Sequence, residues 1–359
     1  MNSPSVMTLR AGPGARRHIE AEGLAPADIA CVPAAAGGPK GLALVPLDKL
    51  LHREWLQRAP AVEFIGASIG AWRMACACRA DADAALAELG EDYVAQRYDH
   101  APGKAPTAAH VTQVFGDTLS RRVGAHAAEV LAHPTRRLHV FTSRGRHLLH
   151  RQGRLRMPLG YAGAFLTNTV SRKAMGGWLE RVVFSDAREP LPLPLHDYRT
   201  HQVALDARNL CPGILASCSI PFWLDAVHDV PGAPPGAYWD GGITDYHLHL
   251  DYGAMHDGLV LYPHFQKTVI PGWLDKVLRH RHRATAHLDR VVLLSPRPEW
   301  IATLPNAKLP DRNDFKAYGD DLALRIAAWS RALRESQRLA DEFGELVTSG
   351  RPVTAEPLA

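Results

Sequence analysis

The sequence lacks the features that mark several specialised classes of protein. Its five cysteines are an odd number without the paired spacing of zinc sites, which predicts reduced thiols in a reducing compartment. No apolar run approaches the roughly 18 residues of a membrane span, and residues 1–11 contain no apolar signal segment. A net charge of +4 is far below the excess of nucleic-acid-binding proteins. We therefore expect a cytoplasmic protein without a nucleic-acid partner.

Alternating strand and helix patterns dominate what the sequence does contain. Its 359 residues, 46% of them hydrophobic, suffice for a large core, and no internal repeat is visible. Strand, glycine-rich turn and helix follow one another twice from Ile29 onward, which predicts an α/β sheet with helices on its faces. The predicted strands are Ile29–Ala36, Val62–Ile65, Leu138–Ser143, Arg181–Ser185, His201–Leu205, Leu259–Tyr262 and Val291–Ser295.

Helical periodicity is strongest near the end of the chain. Apolar residues recur at helical spacing between Leu322 and Leu346. This stripe predicts one long amphipathic helix whose apolar side packs on the core. A second helix-like segment, Leu42 to Arg58, follows the first glycine-rich turn. We expect a single domain with a helical C-terminal cover.

A serine stands in a short turn between a predicted strand and a predicted helix. In Gly66-Ala67-Ser68-Ile69-Gly70, the flanking glycines leave room where a Cβ would clash with a neighbouring strand or helix. The N-terminus of the following helix offers backbone N–H groups to a developing oxyanion. Ser68 is therefore a candidate nucleophile, and a tight turn without chemistry is the alternative.

A second glycine-rich turn is the candidate oxyanion hole. Gly37-Gly38-Pro39-Lys40-Gly41 follows the first predicted strand, where successive backbone N–H groups can form an anion-binding nest. Pro39 has no N–H, so Gly37 and Gly38 are the expected donors, and Lys40 adds positive charge nearby. A nucleotide-binding phosphate loop is excluded because the eight-residue Walker pattern is absent.

Ser68 also needs a general base, and the residues alone leave that choice open. Several of the 19 histidines could serve in the serine–acid–histidine order of α/β-hydrolases, yet none stands in a distinctive context. The run Tyr238-Trp239-Asp240-Gly241-Gly242 offers a carboxylate, although Asp-Gly-Gly by itself is typical of a turn.

Taken together, these motifs resemble the patatin-like phospholipases. That family carries an oxyanion loop Gly-Gly-x-Arg/Lys-Gly, a Gly-x-Ser-x-Gly elbow and an Asp-Gly-Gly/Ala segment, which match Gly37–Gly41, Gly66–Gly70 and Asp240–Gly242. A fourth stretch, Ala216–Pro221, resembles the Ala-Ser-x-Ser-x-Pro segment that the family has between elbow and aspartate. Order and spacing agree over about Ile29 to Leu250.

The resemblance implies a fold and a chemistry. The fold would be a three-layer α/β/α sandwich with a mostly parallel central sheet and a helical C-terminal cover. Asp240 would accept the proton of Ser68, and the N–H groups of Gly37 and Gly38 would bind the oxyanion. One departure is Ala36, because the family often has a further glycine there. No cofactor or metal is implied, and the expected substrates are phospholipids, lysophospholipids or related acyl esters.

The resemblance also divides the chain and leaves two alternatives. Residues 26–255 would form the catalytic core, and residues 256–359 a C-terminal extension packed on the same domain and ending in the long helix. The first alternative is a histidine-assisted carboxylesterase, thioesterase or acyltransferase. The second is a non-catalytic lipid-binding module, which the intact Ser68 and Asp240 disfavour.

Two neighbouring segments carry hypotheses about lipid contact. Between Arg136 and Arg156, seven arginines and three histidines form either an exposed hairpin or a cationic face for anionic lipid headgroups. The apolar side chains between Met157 and Leu179 belong either to an acyl pocket or to the core. Peripheral contact with an anionic membrane is therefore an additional hypothesis about location.

Two groups of residues invite a metal site without completing one. Cys76 and Cys78 are close in sequence but lack the further ligands of a zinc site. His247, His249 and Asp251 would share one face of a strand, yet a full ligand shell is again not in sight. We expect no metal at either position.

Overall fold

A mixed, mostly parallel sheet organises the molecule. The computed structural model describes residues 4–101, 104–255, 258–350 and 352–358. The strands run in the order β11-β1-β10-β9-β2-β3-β4-β5-β6, and β8 pairs with both β4 and β7. The strands are β1 Met7–Ala11, β2 Ile29–Ala34, β3 Val62–Ala67, β4 Arg136–Gly145, β5 Leu179–Asp186, β6 Thr200–Leu205, β7 Val227–His228, β8 Ala237–Trp239, β9 Leu259–Pro263, β10 Val291–Pro296 and β11 Glu356–Pro357.

The centre of the sheet is parallel and buried. Strands β10, β9, β2, β3 and β4 are joined by successive parallel pairs. Every residue of β3 is buried, as expected for a parallel strand that is covered on both faces. Antiparallel pairs occur where β4 meets β5 and where β1 meets β10. The predicted fold class, a mostly parallel α/β sheet with flanking helices, is confirmed.

Helices of varied length flank the sheet. Helices α2 to α5, α9, α13 and α14 contact one another in one layer, while α7, α8 and α10 form a second group beside β4 and β5. None of the helices in the described ranges is both long and apolar enough to cross a membrane. The helices are α1 Pro13–Glu22, α2 Val45–Leu50, α3 Ile69–Ala77, α4 Ala82–Ala95, α5 Ala108–Arg122, α6 Ala127–Ala132, α7 Arg156–Val170, α8 Arg172–Met175, α9 Leu210–Cys218, α10 Gly242–Asp245, α11 Pro298–Ile301, α12 Asn313–Tyr318, α13 Leu322–Glu335 and α14 Gln337–Thr348.

The segment after residue 255 contributes to the sheet itself. Strands β9 and β10 lie between β2 and β1, and β9 pairs with β2 directly. The boundary drawn from the sequence between residues 255 and 256 therefore crosses the sheet, and residue 256 lies outside the described residues. The remainder of the segment carries α11 to α14, which cover the core from one side.

Two predicted helices differ from what the structure has. The stripe from Leu322 to Leu346 is divided between α13 and α14, which meet at Ser336. The Ser336 hydroxyl donates to the carbonyl of Ala332, a contact that competes with regular helix bonding. Residues 42–58 form α2 flanked by tighter and wider turns, namely Gly38–Leu44, Leu51–Trp55 and Leu56–Arg58.

The basic segment from Arg136 to Arg156 is not an exposed hairpin. Its first ten residues form β4, a central strand, in which Arg136 and His139 are buried. His139 lies 2.6 Å from Glu63 on the adjacent β3, and Arg136 donates to backbone carbonyls. These charges therefore hold neighbouring elements together, and only the later part of the segment is on the surface.

Candidate active site

The register of three strands brings Ser68 and Asp240 to one point. Strand β3 runs along one edge of β4 and ends where Ala67 pairs with Phe141. Strand β8 continues along the same edge from the opposite direction, with Trp239 paired to Ser143. Ser68 follows Ala67, and Asp240 follows Trp239. Both therefore lie opposite the one residue of β4 between Phe141 and Ser143. The site thus lies at the carboxyl end of β3, where ligands bind in open α/β sheets.

Ser68 occupies a strained turn that only its glycine neighbours allow. Its backbone has φ 56° and ψ −130°, a conformation that is rare for a residue with a side chain. A Cβ on Gly66 would come within 2.3 Å of the Cα of Ala71, and one on Gly70 within 1.9 Å of the Ala34 carbonyl oxygen. The close approach of strand and helix therefore explains both glycines of the motif.

Asp240 faces Ser68 at hydrogen-bonding distance. The Ser68 hydroxyl donates to Oδ2 of Asp240 at 2.7 Å, and the N–H of Gly242 donates to Oδ1 at 2.7 Å. Asp240 is only 6% exposed. Burial raises the pKa of Asp240 to about 6, against the lowering effects of the Ser68 hydroxyl, Arg312 and the Gly242 N–H. A carboxylate of this kind is a stronger base than an exposed one and is still largely ionised at neutral pH.

The segment between elbow and aspartate supports both residues. Ser217 accepts a hydrogen bond from the Ser68 N–H at 2.8 Å and donates from its hydroxyl to the Phe141 carbonyl at 2.6 Å. The Asp240 N–H donates to the Ser219 carbonyl at 2.9 Å. The Ala216–Pro221 motif is therefore a support that fixes nucleophile and carboxylate relative to β4.

The candidate oxyanion loop presents two unused donors beside the serine. Gly37 and Gly38 line a small cavity together with Ser68 and Asp240. Among the described residues, neither glycine N–H has a hydrogen-bond acceptor. Gly38 has φ 55°, and a Cβ on Gly37 would lie 2.5 Å from the Phe265 ring, so both positions require glycine. Two free N–H groups on one turn are suited to an anion.

Lys40 does not join that cavity. Its ammonium nitrogen lies 5.4 Å from the centre of the Phe265 ring, and burial lowers its pKa. Lys40 lines neither the small cavity nor the larger one that Ser68 opens into. A contribution of the Lys40 charge to the oxyanion hole therefore stays a prediction, and other cations line the two cavities.

Arg312 supplies the cation that the sequence patterns did not reveal. It lines both cavities at Ser68, and a Cβ on Gly38 would lie 3.7 Å from its Nε. The carboxylates closest to Arg312 in sequence have another partner, because Lys308 pairs with Asp311 at 2.9 Å and with Asp314 at 2.6 Å. Within the described ranges the Arg312 guanidinium has no hydrogen bond or ion pair, so its charge acts on the site.

A cavity of about 920 Å³ leads away from Ser68. Phe115, Trp223 and Leu224 give it an apolar side, while Arg97 and Lys316 line its polar side. A volume of this size suits a ligand with an apolar chain and a polar end. The apolar side chains between Met157 and Leu179, which the sequence offered for an acyl pocket, do not line it.

The structure also places the residues on which the histidine and metal hypotheses rest. His100 lines the larger cavity but lies 4.0 Å from Asp320, and no histidine of the described residues is hydrogen-bonded to Ser68. Cys76 and Cys78 are buried thiols whose pKa burial raises to about 12. Within the described ranges, no three His, Cys, Asp or Glu side chains are grouped so that they could hold a metal ion.

Comparison with known proteins identifies the family. Residues 36–247 match the family model for patatin-like phospholipases. The chain belongs to the patatin-like phospholipase family. Among solved structures it is similar to VipD from Legionella pneumophila at 12% identity, with a TM-score of 0.37 and coverage of 95% of this chain and 71% of that one. That likeness is too weak to bear on function, and no curated protein matches the sequence.

Family membership states the chemistry at a coarse level. A patatin-like phospholipase is a lipid acyl hydrolase, and lipid esters are its class of substrate. The matched segment ends at residue 247, so Arg312 and the cavity residues of α12 lie beyond it. The cavity at Ser68 is therefore lined partly by side chains that lie outside the segment matched by the family model.

Proposed function

We propose that the protein hydrolyses the carboxylic ester bonds of phospholipids or lysophospholipids through a Ser68–Asp240 dyad and an acyl-enzyme. The observation that carries this proposal is the 2.7 Å hydrogen bond from the Ser68 hydroxyl to Asp240 at the end of β3. Asp240 accepts the serine proton as the hydroxyl oxygen attacks the ester carbonyl. The proton then passes to the leaving alkoxide, and the acyl group stays on Ser68.

Deacylation reuses the same groups. Asp240 accepts a proton from water, the hydroxide attacks the acyl carbonyl, and the proton returns to Ser68 as the fatty acid leaves. The free N–H groups of Gly37 and Gly38 hold the oxyanion of both tetrahedral intermediates, and each such donor contributes about 3–4 kcal/mol in comparable sites. The Arg312 charge adds to the same stabilisation.

Substitution of the two reacting side chains tests the dyad. We expect Ser68→Ala to abolish covalent labelling by a fluorophosphonate and Asp240→Asn to reduce ester hydrolysis about 10²–10⁴-fold, the usual contribution of a general base. Both variants should keep the melting temperature close to that of the native chain. The measurements are labelling, and hydrolysis of phosphatidylcholine, lysophosphatidylcholine, monoacylglycerol and a thioester.

A matched control separates the dyad from general loss of charge. Asp99 also lines the larger cavity but is exposed and pairs with Arg97 at 3.0 Å, so Asp99→Asn should retain hydrolysis. Hydrolysis that survives Asp240→Asn but not His100→Gln would assign the base to a histidine instead. Labelling of Ser68 without hydrolysis of any ester in the panel would contradict the proposed hydrolase.

A further inference from the structure

Helix α7 is apolar on two opposite faces. Its inner face carries Met157 and Tyr161 into a buried cluster, where the Tyr161 ring lies 6.2 Å from that of Trp239. The outer face is solvent-exposed: Leu159 is 62% exposed, Leu166 64% and Val170 82%. At 100° per residue, these three and Leu155 fall within an arc of roughly 60°. A helix that is hydrophobic all round normally has partners on both sides, and this one has a partner on one side.

The segment that carries this outer face has charge of a single sign. From Arg146 to Trp178 the sequence contains six arginines and lysines and no aspartate or glutamate. Arg151, Arg154 and Arg156 are exposed at the N-terminal end of α7. The apolar stripe is thus bordered by cations.

Two further segments with exposed apolar side chains pack against the inner side of α7. The exposed Phe222 ring lies 6.0 Å from Tyr161 of α7, and its neighbour Trp223, 50% exposed, lines the cavity at Ser68. The buried Asn168 of α7 donates to Asp275 at 2.8 Å. This bond joins α7 to the segment that carries Trp273 and Val277, which are exposed large apolar residues as well.

Exposed apolar residues are therefore concentrated rather than scattered. Of the ten large apolar side chains that are exposed in the described ranges, nine lie on α7, on the turn before it, or on these two adjoining segments. The exception is Leu324, on α13. Single exposed apolar residues need no explanation, but a contiguous patch marks an interaction surface.

We propose that the outer face of α7, together with the exposed Phe222, Trp223 and Trp273 of the segments packed against this helix, docks on an anionic lipid bilayer with the Ser68 cavity facing the lipid. Tryptophan at the border of an apolar patch is typical of membrane–water interfaces. The surrounding cations match anionic headgroups. A second copy of the chain fits less well, because a symmetric contact would bring the same cations against each other.

Vesicle binding by a hydrolysis-deficient chain tests the surface separately from the proposed function. In a Ser68→Ala background, we expect the pair Leu159→Gln and Leu166→Gln to lower partitioning onto phosphatidylcholine–phosphatidylglycerol vesicles about tenfold or more. The pair Arg154→Gln and Arg156→Gln should weaken binding to these vesicles and leave binding to pure phosphatidylcholine unchanged. Binding should also fall at high salt. The matched control is Leu324→Gln, equally exposed but on α13, which should bind like the parent.

Three results would overturn the docking surface. They are unchanged vesicle binding by the double leucine variant, an equal loss in Leu324→Gln, and a dimer in sedimentation that the leucine variant dissociates while vesicle binding persists. With Ser68 intact, the leucine variant should still hydrolyse a soluble short-chain ester at the native rate, which shows that it folds. If the native chain fails to hydrolyse that ester, the dyad proposal fails and the vesicle result stands.

Discussion

At the scale of single residues, the proposed chemistry depends on the surroundings of Asp240. The carboxylate is buried beside a strained serine, receives two hydrogen bonds and lies within the field of Arg312. Burial raises its pKa and the other contacts lower it, with a net pKa of about 6. The Asp240 carboxylate is therefore ionised at neutral pH and is also more basic than the carboxylate of an exposed aspartate.

The pH dependence of hydrolysis follows from this pKa. Asp240 must be ionised to accept the Ser68 proton, so kcat/KM on a soluble ester should be constant above about pH 7 and fall about tenfold per pH unit below about pH 6. A profile between pH 4.5 and 8 measures the midpoint. A midpoint of the kcat/KM profile near pH 4 would contradict a buried carboxylate as the base. A midpoint that disappears in His100→Gln would assign the titrating group to that histidine.

Replacing Arg312 should move that midpoint upward. Arg312 lowers the pKa of Asp240, so Arg312→Met removes a stabilising charge from the carboxylate and should shift the acidic limb by about one pH unit. Lys316 lines the same cavity and is not among the main groups that shift the pKa of Asp240, so Lys316→Met is the control in which we expect an unshifted acidic limb. A reduced rate with an unshifted limb in Arg312→Met would mean that the residue only shapes the cavity.

Ser68 and Asp240 could be found from the sequence, whereas Arg312 could not. Ser68 and Asp240 stand in short motifs because close backbone approach forces glycine at Gly66, Gly70 and Gly241, and such local constraints are visible in a sequence. Arg312 reaches the site only through tertiary folding of a segment far along the chain, with no spacing or composition that marks it. A lysine beside the predicted loop was therefore the natural but incomplete inference.

At the scale of secondary-structure elements, the helix behind the serine is tied to the helix behind the oxyanion loop. Arg73 on α3 donates two hydrogen bonds to Asp48 on α2, at 2.6 and 2.8 Å, and both side chains are almost completely buried. The pair connects the elbow and the loop through their helices. Its geometry therefore helps to set the distance between Ser68 and the N–H groups of Gly37 and Gly38.

Breaking this pair should be costly. Asp48→Ala leaves the Arg73 guanidinium buried without a counter-charge, and we expect the free energy of unfolding to fall by about 3–5 kcal/mol in urea denaturation. The matched surface pair Lys49–Asp83, at 3.5 Å, provides the comparison. Asp83→Ala should change the free energy of unfolding by less than about 1 kcal/mol, and similar losses in the two variants would refute the assignment.

Element prediction succeeded where hydrophobicity alone marks an element. All seven predicted strands are confirmed to within two residues at each end, because most of them are short, buried apolar runs. The surroundings of β4 were predicted less well, because its arginines and histidine suggested a solvated hairpin, whereas Arg136 and His139 are buried. The prediction was also incomplete at α7, where leucines that suggested a pocket or a core are exposed, because the outer face of α7 has no partner in the described part of the chain.

At the scale of the whole molecule, the family's segment and the rest of the chain share one sheet. Strand β2 carries the oxyanion loop at its end and is paired with β3 on one side and β9 on the other. Strand β1 has β10 as its long partner. The C-terminal part therefore completes the sheet that holds the site and does not merely cover it.

Truncation should expose this dependence. A chain that ends at Met255 lacks β9 and β10, leaves β2 with an open apolar edge, and should aggregate without a cooperative thermal transition. A chain that ends at Ser349 loses only the two-residue β11 from the sheet and should unfold cooperatively near the native melting temperature. Cooperative unfolding of the shorter chain, followed by circular dichroism, would show that the segment up to Met255 is an independent domain.

Because of the strand order, the sheet can be completed only late in synthesis of the chain. Met7 of β1 pairs with Pro296 of β10, roughly 290 residues later, and Ile29 of β2 pairs with Leu259 of β9, roughly 230 residues later. At about 5–20 residues per second, a ribosome needs roughly 15–60 s to make the missing partners. During that time β2 and the oxyanion loop have an unpaired edge, so closing the sheet is a late event of folding. Conditions that slow translation or remove chaperones should therefore reduce the yield of this chain more than that of proteins whose neighbouring strands are consecutive.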